Sequence, residues 1–161
     1  MANVVYDIAK KFLVSTSSGQ YKRINLLADT IKVALVGSTY TQASSHNTMK
    51  RGLNSPSSYE LTGTGYTKGV GGSGRKTLAS KTITQDDSNT RAVFTAANVT
   101  WTAINAGTAG KCMLIKEGGA GTTTSDTGTM LVCVIDSGFP VTTNGGDLTI
   151  QWSTAGIIDL T

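Results

Sequence analysis

The feature that most constrains this chain is an alternation of apolar and polar side chains in segments that continue to the end of the sequence. In DLTIQW, residues 147–152, Leu148, Ile150 and Trp152 occupy one side and the polar residues between them occupy the other. A period of two is typical of a half-buried β-strand. The sequence therefore predicts a packed β-protein that acts through its surfaces.

Length and composition set the scale of the fold. A chain of 161 residues is in the range of one domain and buries roughly 70% of its unfolded surface. We expect a single β-domain over 1–161, of which 1–24 form a helical N-terminal arm. Charged residues make up 15%, against roughly 25% in an average soluble domain. This suits a surface that lies against neighbouring protein, although secreted β-domains share the composition.

One short helix and many strands are predicted. Residues 4–14 have helical spacing, with Val5, Ile8, Phe12 and Leu13 on one side. The predicted strands are 29–36, 59–69, 77–84, 91–96, 98–104, 111–117, 129–136, 147–152 and 156–160. Segment 129–136, TMLVCVID, is apolar on both faces and is expected to be the central strand. This order predicts an all-β fold, a β-sandwich or jelly-roll-like domain with one short N-terminal helix.

The net charge of +4 comes from Lys and Arg residues scattered along the sequence, with no run longer than a pair. A diffuse excess of this kind steers a protein toward acidic surfaces. Proteins that bind single strands place aromatic residues among basic ones so that bases can stack, whereas only 6% of these residues are aromatic. We therefore expect no direct binding of nucleic acid.

Residues that bind metals or form disulfides are few. The chain has one histidine, His46, and two cysteines, Cys112 and Cys133, whereas a zinc site needs several such ligands at close spacing. No metal or other cofactor is expected. The cysteines are predicted to be buried and reduced because the N-terminal sequence lacks the apolar stretch of a secretion signal; a disulfide stays open if their strands pair side by side. No apolar run approaches the roughly 18 residues of a membrane helix, so no membrane contact is expected.

Two nucleotide-binding motifs have partial matches in the glycine-rich segment 68–76. Gly69, Gly71 and Gly74 satisfy G-x-G-x-x-G, but that fingerprint needs a helix after it to hold the pyrophosphate, and the following residues are rich in Thr and favour strand. The segment also approaches a phosphate loop, except that Arg75 displaces Lys76 by one position, which spoils the reach of the lysine. Neither match predicts nucleotide binding.

No catalytic constellation stands out. His46 has Ser44 and Ser45 beside it, but adjacent residues rarely face each other, and a triad is recognised by spatial geometry. Asp86 and Asp126 lie in a turn and a Gly/Thr loop without the alternating oxygen ligands of a calcium site. We expect no enzymatic activity.

The tryptophans raise a separate possibility, a platform for stacking sugars. Trp101 and Trp152, with Tyr59 and Tyr66, are the aromatic candidates for it. Both tryptophans are in phase with the aliphatic residues of their own strands, which favours burial over display.

Several motifs, in their order and spacing, resemble a family of small virion structural proteins of tailed bacteriophages. They are DTIKVALV (29–36), ELTGTGYT (60–67), VFTAANVTW (93–101), IDSG (135–138) and GDLTIQWSTAGIIDL (146–160). The resemblance covers nearly the whole chain and implies an assembly role, similar to that of capsid decoration or cement proteins, with no active site to carry over. The glycine-rich segment 68–76 and the cysteine pair depart from the pattern.

The resemblance implies a protein of the virion, assembled in the host bacterial cytoplasm. It implies that the chain binds the major capsid protein or other virion proteins, stabilises the head shell, and forms a homo-oligomer. A tail, neck or fibre-anchoring component of the virion and a carbohydrate-binding module are the alternatives.

Two segments are predicted to be the main contacts with a partner: the N-terminal helix, near residues 6–13, and the long polar connection 42–58. Connections of this length without structure of their own are usually functional or disordered. Basic residues of the glycine-rich segment are expected to be solvated or to meet an acidic neighbour. The candidate interaction residues are Tyr6, Lys10, Phe12, His46, Met49, Arg51, Lys68, Arg75 and Lys76.

Overall fold

A computed structural model describes residues 4–14, 23–43, 45–50, 55–117 and 125–160. The described chain is mostly extended, with eleven strands and two helices. In chain order they are β1 (Val4–Val5), α1 (Asp7–Val14), β2 (Ile31–Gly37), α2 (Pro56–Tyr59), β3 (Lys76–Thr77), β4 (Thr82–Asp86), β5 (Arg91–Thr95), β6 (Val99–Trp101), β7 (Thr108–Lys116), β8 (Met130–Ile135), β9 (Val141–Thr142), β10 (Leu148–Ile150) and β11 (Ile158–Leu160).

The largest sheet is antiparallel and has the order β1-β8-β7-β2-β3, with β9 also paired to β7. Strand β8 corresponds to the apolar segment TMLVCVID, and all six of its residues are buried, as expected for a strand covered on both faces. The prediction that it is the central strand is wrong. Strand β7 occupies the middle of this order, and β8 is second from the edge, beside the two-residue strand β1.

Two separate stretches of chain cover the outer edge of β8. Strand β1 pairs with its C-terminal half. Toward its start, Thr48 forms a bridge with Met130, and the backbone N–H of Leu131 donates to the carbonyl of Asn47 at 3.0 Å. Part of the predicted contact connection 42–58 therefore serves the main sheet and satisfies backbone groups that an open edge would leave unpaired.

The remaining strands form two small antiparallel sheets, β10-β6 and β11-β5-β4. One continuous apolar core joins them to the large sheet and contains Leu114 of β7, Trp101 of β6 and Phe94 of β5, all fully buried. The arrangement is sandwich-like, and the prediction of an all-β fold with one short N-terminal helix is confirmed.

Helix α1 begins later than its sequence pattern predicts. Val4 and Val5 are extended and pair with β8, so the helix covers only Asp7–Val14. Ala9 and Phe12 are its buried residues. This face packs against β8, so the helix is fastened to the main sheet.

Two strand predictions are wrong in part. Segment 59–69 contains no named strand: Tyr59 ends α2, and only isolated bridges follow, such as Gly63 with Tyr66. Proline at the first helical position favours α2 because its fixed φ suits a helix start. The predicted strand 77–84 is divided into β3 and β4, and Ser80 between them has a φ of 49°, which interrupts an extended chain.

The predicted helical turn around Met49 and Leu53 is not found at Met49, which is buried beside the start of β8. Leu53 lies outside the described residues. The short helix forms instead at Pro56–Tyr59.

Candidate functional site

The most concentrated group of charges is buried. We call Arg75, Glu60, Glu117 and Asp126 the Arg75 cluster. Arg75 donates from Nε and Nη2 to the two carboxylate oxygens of Glu60, at 2.8 and 2.6 Å. Its Nη1 donates to Asp126 at 2.7 Å and to Glu117 at 3.5 Å. The side chains of Arg75 and Glu60 have no exposed surface.

The Arg75 cluster holds the glycine-rich segment against the large sheet. Glu60 accepts hydrogen bonds from the backbone N–H of Gly69 and from the hydroxyl of Tyr66, both at 3.3 Å. The Tyr66 hydroxyl in turn accepts from the backbone N–H of Leu35 in β2 at 2.8 Å. A Cβ on Gly74 would lie 2.3 Å from the Tyr66 ring, so this glycine is required by close packing.

The surroundings of Arg75 favour its charged form. Burial by itself would lower the pKa of Arg75, but the hydrogen bonds and negative charges of Glu60 and Asp126 outweigh it and raise the pKa above its ordinary value. The guanidinium is thus a permanent cation saturated by acidic groups. Because its donors are engaged inside the domain, the cluster has the character of a structural fastening rather than of an acid–base site.

A second buried polar group joins the N-terminal segment to the chain that follows β2. The hydroxyls of Tyr6 and Tyr40 are 2.9 Å apart, and the Tyr40 hydroxyl is 2.9 Å from Nδ1 of His46. Tyr6 precedes α1, Tyr40 follows β2, and His46 is close to the stretch that covers the edge of β8. The chain of hydrogen bonds therefore ties together the two stretches that cover β8.

Burial governs the ionisation of these three groups. Loss of solvent raises the pKa of Tyr6, and the hydrogen bond to Tyr40 raises it further. Burial also raises the pKa of Tyr40 and lowers that of His46. With the pKa values displaced in these directions, all three side chains are uncharged at neutral pH.

The candidate interaction residues fall into two groups. Tyr6, Phe12, His46, Met49 and Arg75 are buried and support the chain's own fold. Lys10 and Lys68 are exposed, Lys76 is half-buried, and Arg51 lies outside the described residues. Contact with a partner stays a prediction for the exposed lysines.

The glycine-rich segment does not have the geometry of a nucleotide site. Strand β3 follows it directly, so no helix N-terminus is present where a pyrophosphate would sit. Gly69 and Gly71 have φ values of 88° and 78°, which identifies them as turn residues that an L side chain rarely replaces.

The two tryptophans differ. Trp101 is fully buried and stacked on Tyr66, with ring centroids 6.3 Å apart. Trp152 is half-buried, and its indole N–H donates to the carbonyl of Ala97 at 2.8 Å. It lines a groove of about 670 Å³ together with Phe139 and Gln151. Burial is thus complete for one tryptophan and partial for the other.

The cysteines lie on neighbouring strands as free, buried thiols. Cys112 is opposite Ile135, and Cys133 is opposite Leu114, which places the two cysteines on the same face and diagonal to each other. Burial raises the pKa of both thiols, that of Cys133 to about 12. Their predicted burial is confirmed.

Sequence reasoning missed the acidic half of the Arg75 cluster and the role of Tyr40. Glu60 is far in the sequence from Glu117 and Asp126, so no local spacing connects the three. One indication was present in the sequence. Charged residues are few in this chain, so a charged residue next to a predicted buried strand is a candidate for an ion pair.

Within the described ranges, no three His, Cys, Asp or Glu side chains are grouped to hold a metal ion, and neither helix is long enough to cross a membrane. Comparison of the chain with protein-family models, curated proteins and solved structures found no match.

Proposed function

We propose that this chain is a virion structural protein of a tailed bacteriophage that binds the outside of the head shell as a decoration protein. The observation that carries the proposal is that the most reactive side chains are buried and are hydrogen-bonded to one another inside the domain. Arg75 and Glu60 saturate each other in the core, and His46 is hydrogen-bonded to Tyr40 and buried. What the domain offers a partner is its exterior, and the chain as a whole is poor in charged residues, at 15%, and rich in Ser and Thr.

A rigid domain of this kind stabilises a shell by mass action. A ligand that binds only the assembled form shifts the equilibrium toward that form. Binding requires little reorganisation when the loops are already fastened from within, and the Arg75 cluster supplies such fastening to the glycine-rich segment. The net charge of +4 favours an acidic docking surface.

The test is the copy number in purified particles of the phage that carries this gene, measured by quantitative mass spectrometry against the major capsid protein. A decoration protein is expected in a fixed ratio to the capsid subunits, with hundreds of copies. A ring of six or twelve copies would favour a tail or neck position. Particles that lack the polypeptide would refute a virion role.

A second candidate function, glycan binding, is favoured by the groove beside Trp152. Aromatic side chains of Trp152 and Phe139 line it together with polar side chains of Gln151, Ser153 and Asp159. Sugars are bound by this combination, since their C–H faces stack on rings while their hydroxyls exchange hydrogen bonds. The anchored indole N–H of Trp152 leaves the ring itself as the contact surface.

Calorimetry against a panel of host-surface oligosaccharides tests this second function. Binding that is abolished in Trp152→Ala and largely kept in Trp152→Phe would support it. Absence of any heat or fluorescence change in the unmodified protein would refute it.

A further inference from the structure

Strand β4 has an open outer edge. It is the end strand of the sheet β11-β5-β4, and within the described part of the chain only β5 pairs with it. Thr82, Ile83, Thr84 and Gln85 are all exposed. A row of unpaired N–H and C=O groups of this kind is a template for pairing with another strand.

The middle of β4 lacks the devices that normally block an open edge, and its one charged residue, Asp86, is at the end of the strand. The residues Thr82–Gln85 contain neither proline nor charge, and the pairing with β5 runs without a register shift. The large sheet, by contrast, has the outer edge of β8 covered by β1 and by residues 47–49. Among the end strands of the three sheets in the described chain, β4 is the longest, with five residues against two or three in the others, so it offers the longest row of unpaired backbone groups.

An apolar groove opens beside the same edge. It has a volume of about 420 Å³ and lies between α1, residues 23–26 and the small sheet. Ile83 and Val14 line it and are 43% and 89% exposed. Ile83 is opposite the buried Phe94 of β5, so it lies on the core-facing side of the sheet at the point where the core becomes accessible to solvent.

We propose that β4 pairs antiparallel with β4 of a second copy of this chain, about a twofold axis at Thr84. In this register Ile83 lies opposite Gln85 of the second copy, and Lys81 lies opposite Asp87 of the second copy. Twofold symmetry repeats the Lys81–Asp87 pairing, so two pairs of opposite charges flank the neutral centre. The interface is self-complementary, as a twofold dimer requires, and it holds whether or not the chain is a virion protein.

Side-chain alternation selects this register. A shift by one residue would turn the core-facing side of the second copy to the opposite face of the joined sheet. A twofold axis at Ile83 would place Lys81 opposite Gln85 and remove the charge pairing. With the axis at Thr84, the two Ile83 side chains become diagonal neighbours on the same face, roughly 7–8 Å apart, and cover each other's exposed surface.

The charged ends of β4 are available for this contact. Lys81 donates to the backbone carbonyl of Asp29, and an ammonium group carries three donors, so it can serve a second acceptor. Asp87 is exposed. The pairing therefore requires no buried charge.

The test is the mass of the full-length protein in solution, measured by light scattering and sedimentation up to a concentration on the order of 100 µM. Twice the chain mass of 16.7 kDa is expected. Thr84→Lys places two like charges directly opposite each other at the axis and should weaken dimerisation by up to about fivefold. Thr82→Lys is the matched control, because its lysine meets Asp86 of the second copy and should leave the dimer intact.

Charge reversal tests the register independently. Lys81→Glu and Asp87→Lys should each weaken the dimer, and the double variant should restore it. Circular dichroism establishes that each variant is folded. A wild-type monomer throughout the concentration range, a dimer that Thr84→Lys leaves unchanged, or a double variant without restoration would each overturn the proposal.

Discussion

Arg75 and Glu60 form a bidentate ion pair, and neither side chain has solvent-exposed surface. The pair lies where the glycine-rich segment meets the large sheet. The other two members of the Arg75 cluster are Glu117, directly after β7, and Asp126, in the connection before β8. One guanidinium thus connects parts of the chain that are distant in sequence. Removing one partner of such a buried pair leaves an uncompensated charge.

We expect Arg75→Met to destabilise the domain by about 3–5 kcal/mol, because Glu60 is then buried without its cation. Urea unfolding followed by circular dichroism measures the change. Arg75→Lys keeps the charge but loses the paired geometry, so its loss should be intermediate. Lys68→Ala is the control in the same segment, with a change within about 0.5 kcal/mol because Lys68 is exposed. An Arg75→Met protein as stable as the parent would contradict the structural role of the cluster.

The stability of the domain should decrease on mild acidification because of His46. Burial lowers its pKa below the ordinary value of 6.5. As the pH falls below about 6.5, the unfolded chain binds a proton before the folded chain does, so the free energy of unfolding falls until the folded pKa is passed. Above that window the contribution is fully present. Thermal unfolding at a series of pH values between 7 and about 5 measures the slope.

His46 is the one histidine in the sequence, so its contribution can be isolated. His46→Asn retains a polar group near the position of Nδ1 and removes the titration. The slope between pH 7 and about 5 should disappear in this variant, since carboxylates titrate near pH 4. An unchanged slope would assign the pH dependence to other groups.

Gly74 is required by the position of the Tyr66 ring. An added Cβ would lie 2.3–2.4 Å from two carbons of that ring, and the ring cannot easily move because its hydroxyl is bonded to Leu35 and Glu60. Gly74→Ala should therefore destabilise the domain by about 1–3 kcal/mol, the usual cost of overpacking. Gly128→Ala is the matched control, since its nearest contact would be 3.8 Å. Equal stability of the two variants would refute the packing argument.

The thiols of Cys112 and Cys133 should be unreactive in the folded protein. Both are buried, and burial raises the pKa of each, that of Cys133 to about 12, so almost no thiolate is present near pH 8. A chromogenic disulfide reagent should label neither thiol in buffer and both in urea. Rapid labelling of the native protein would show that β7 and β8 open readily.

The spacing of apolar residues along the sequence predicts some of these elements well, because the burial of each face of a strand determines which neighbouring positions are apolar. The alternation of DLTIQW leads to β10 at Leu148–Ile150, and the run TMLVCVID leads to the fully buried β8. Position within the sheet depends on partners elsewhere in the chain. The apolar sequence of β8 therefore could not show that β7, and not β8, is the central strand.

The buried polar groups are not predictable in this way. A charged residue is usually exposed, so the sequence of the glycine-rich segment cannot distinguish Arg75, which is buried, from Lys68, which is not. The difference arises from Glu60 and Asp126, which only the folded chain brings within hydrogen-bonding distance. The same holds for Tyr6 and Tyr40, whose hydroxyls meet across separate elements.

The pairing of Val4 with Val134 has a consequence for how the protein is made. The first described strand receives its neighbour only after residue 134 has left the ribosome, and closing so large a loop carries an entropic cost that local contacts do not. Folds dominated by such distant pairings have high contact order and acquire their structure slowly. During synthesis the apolar side chains of the N-terminal segment therefore stay without their partners in the sheet until β8 has been made.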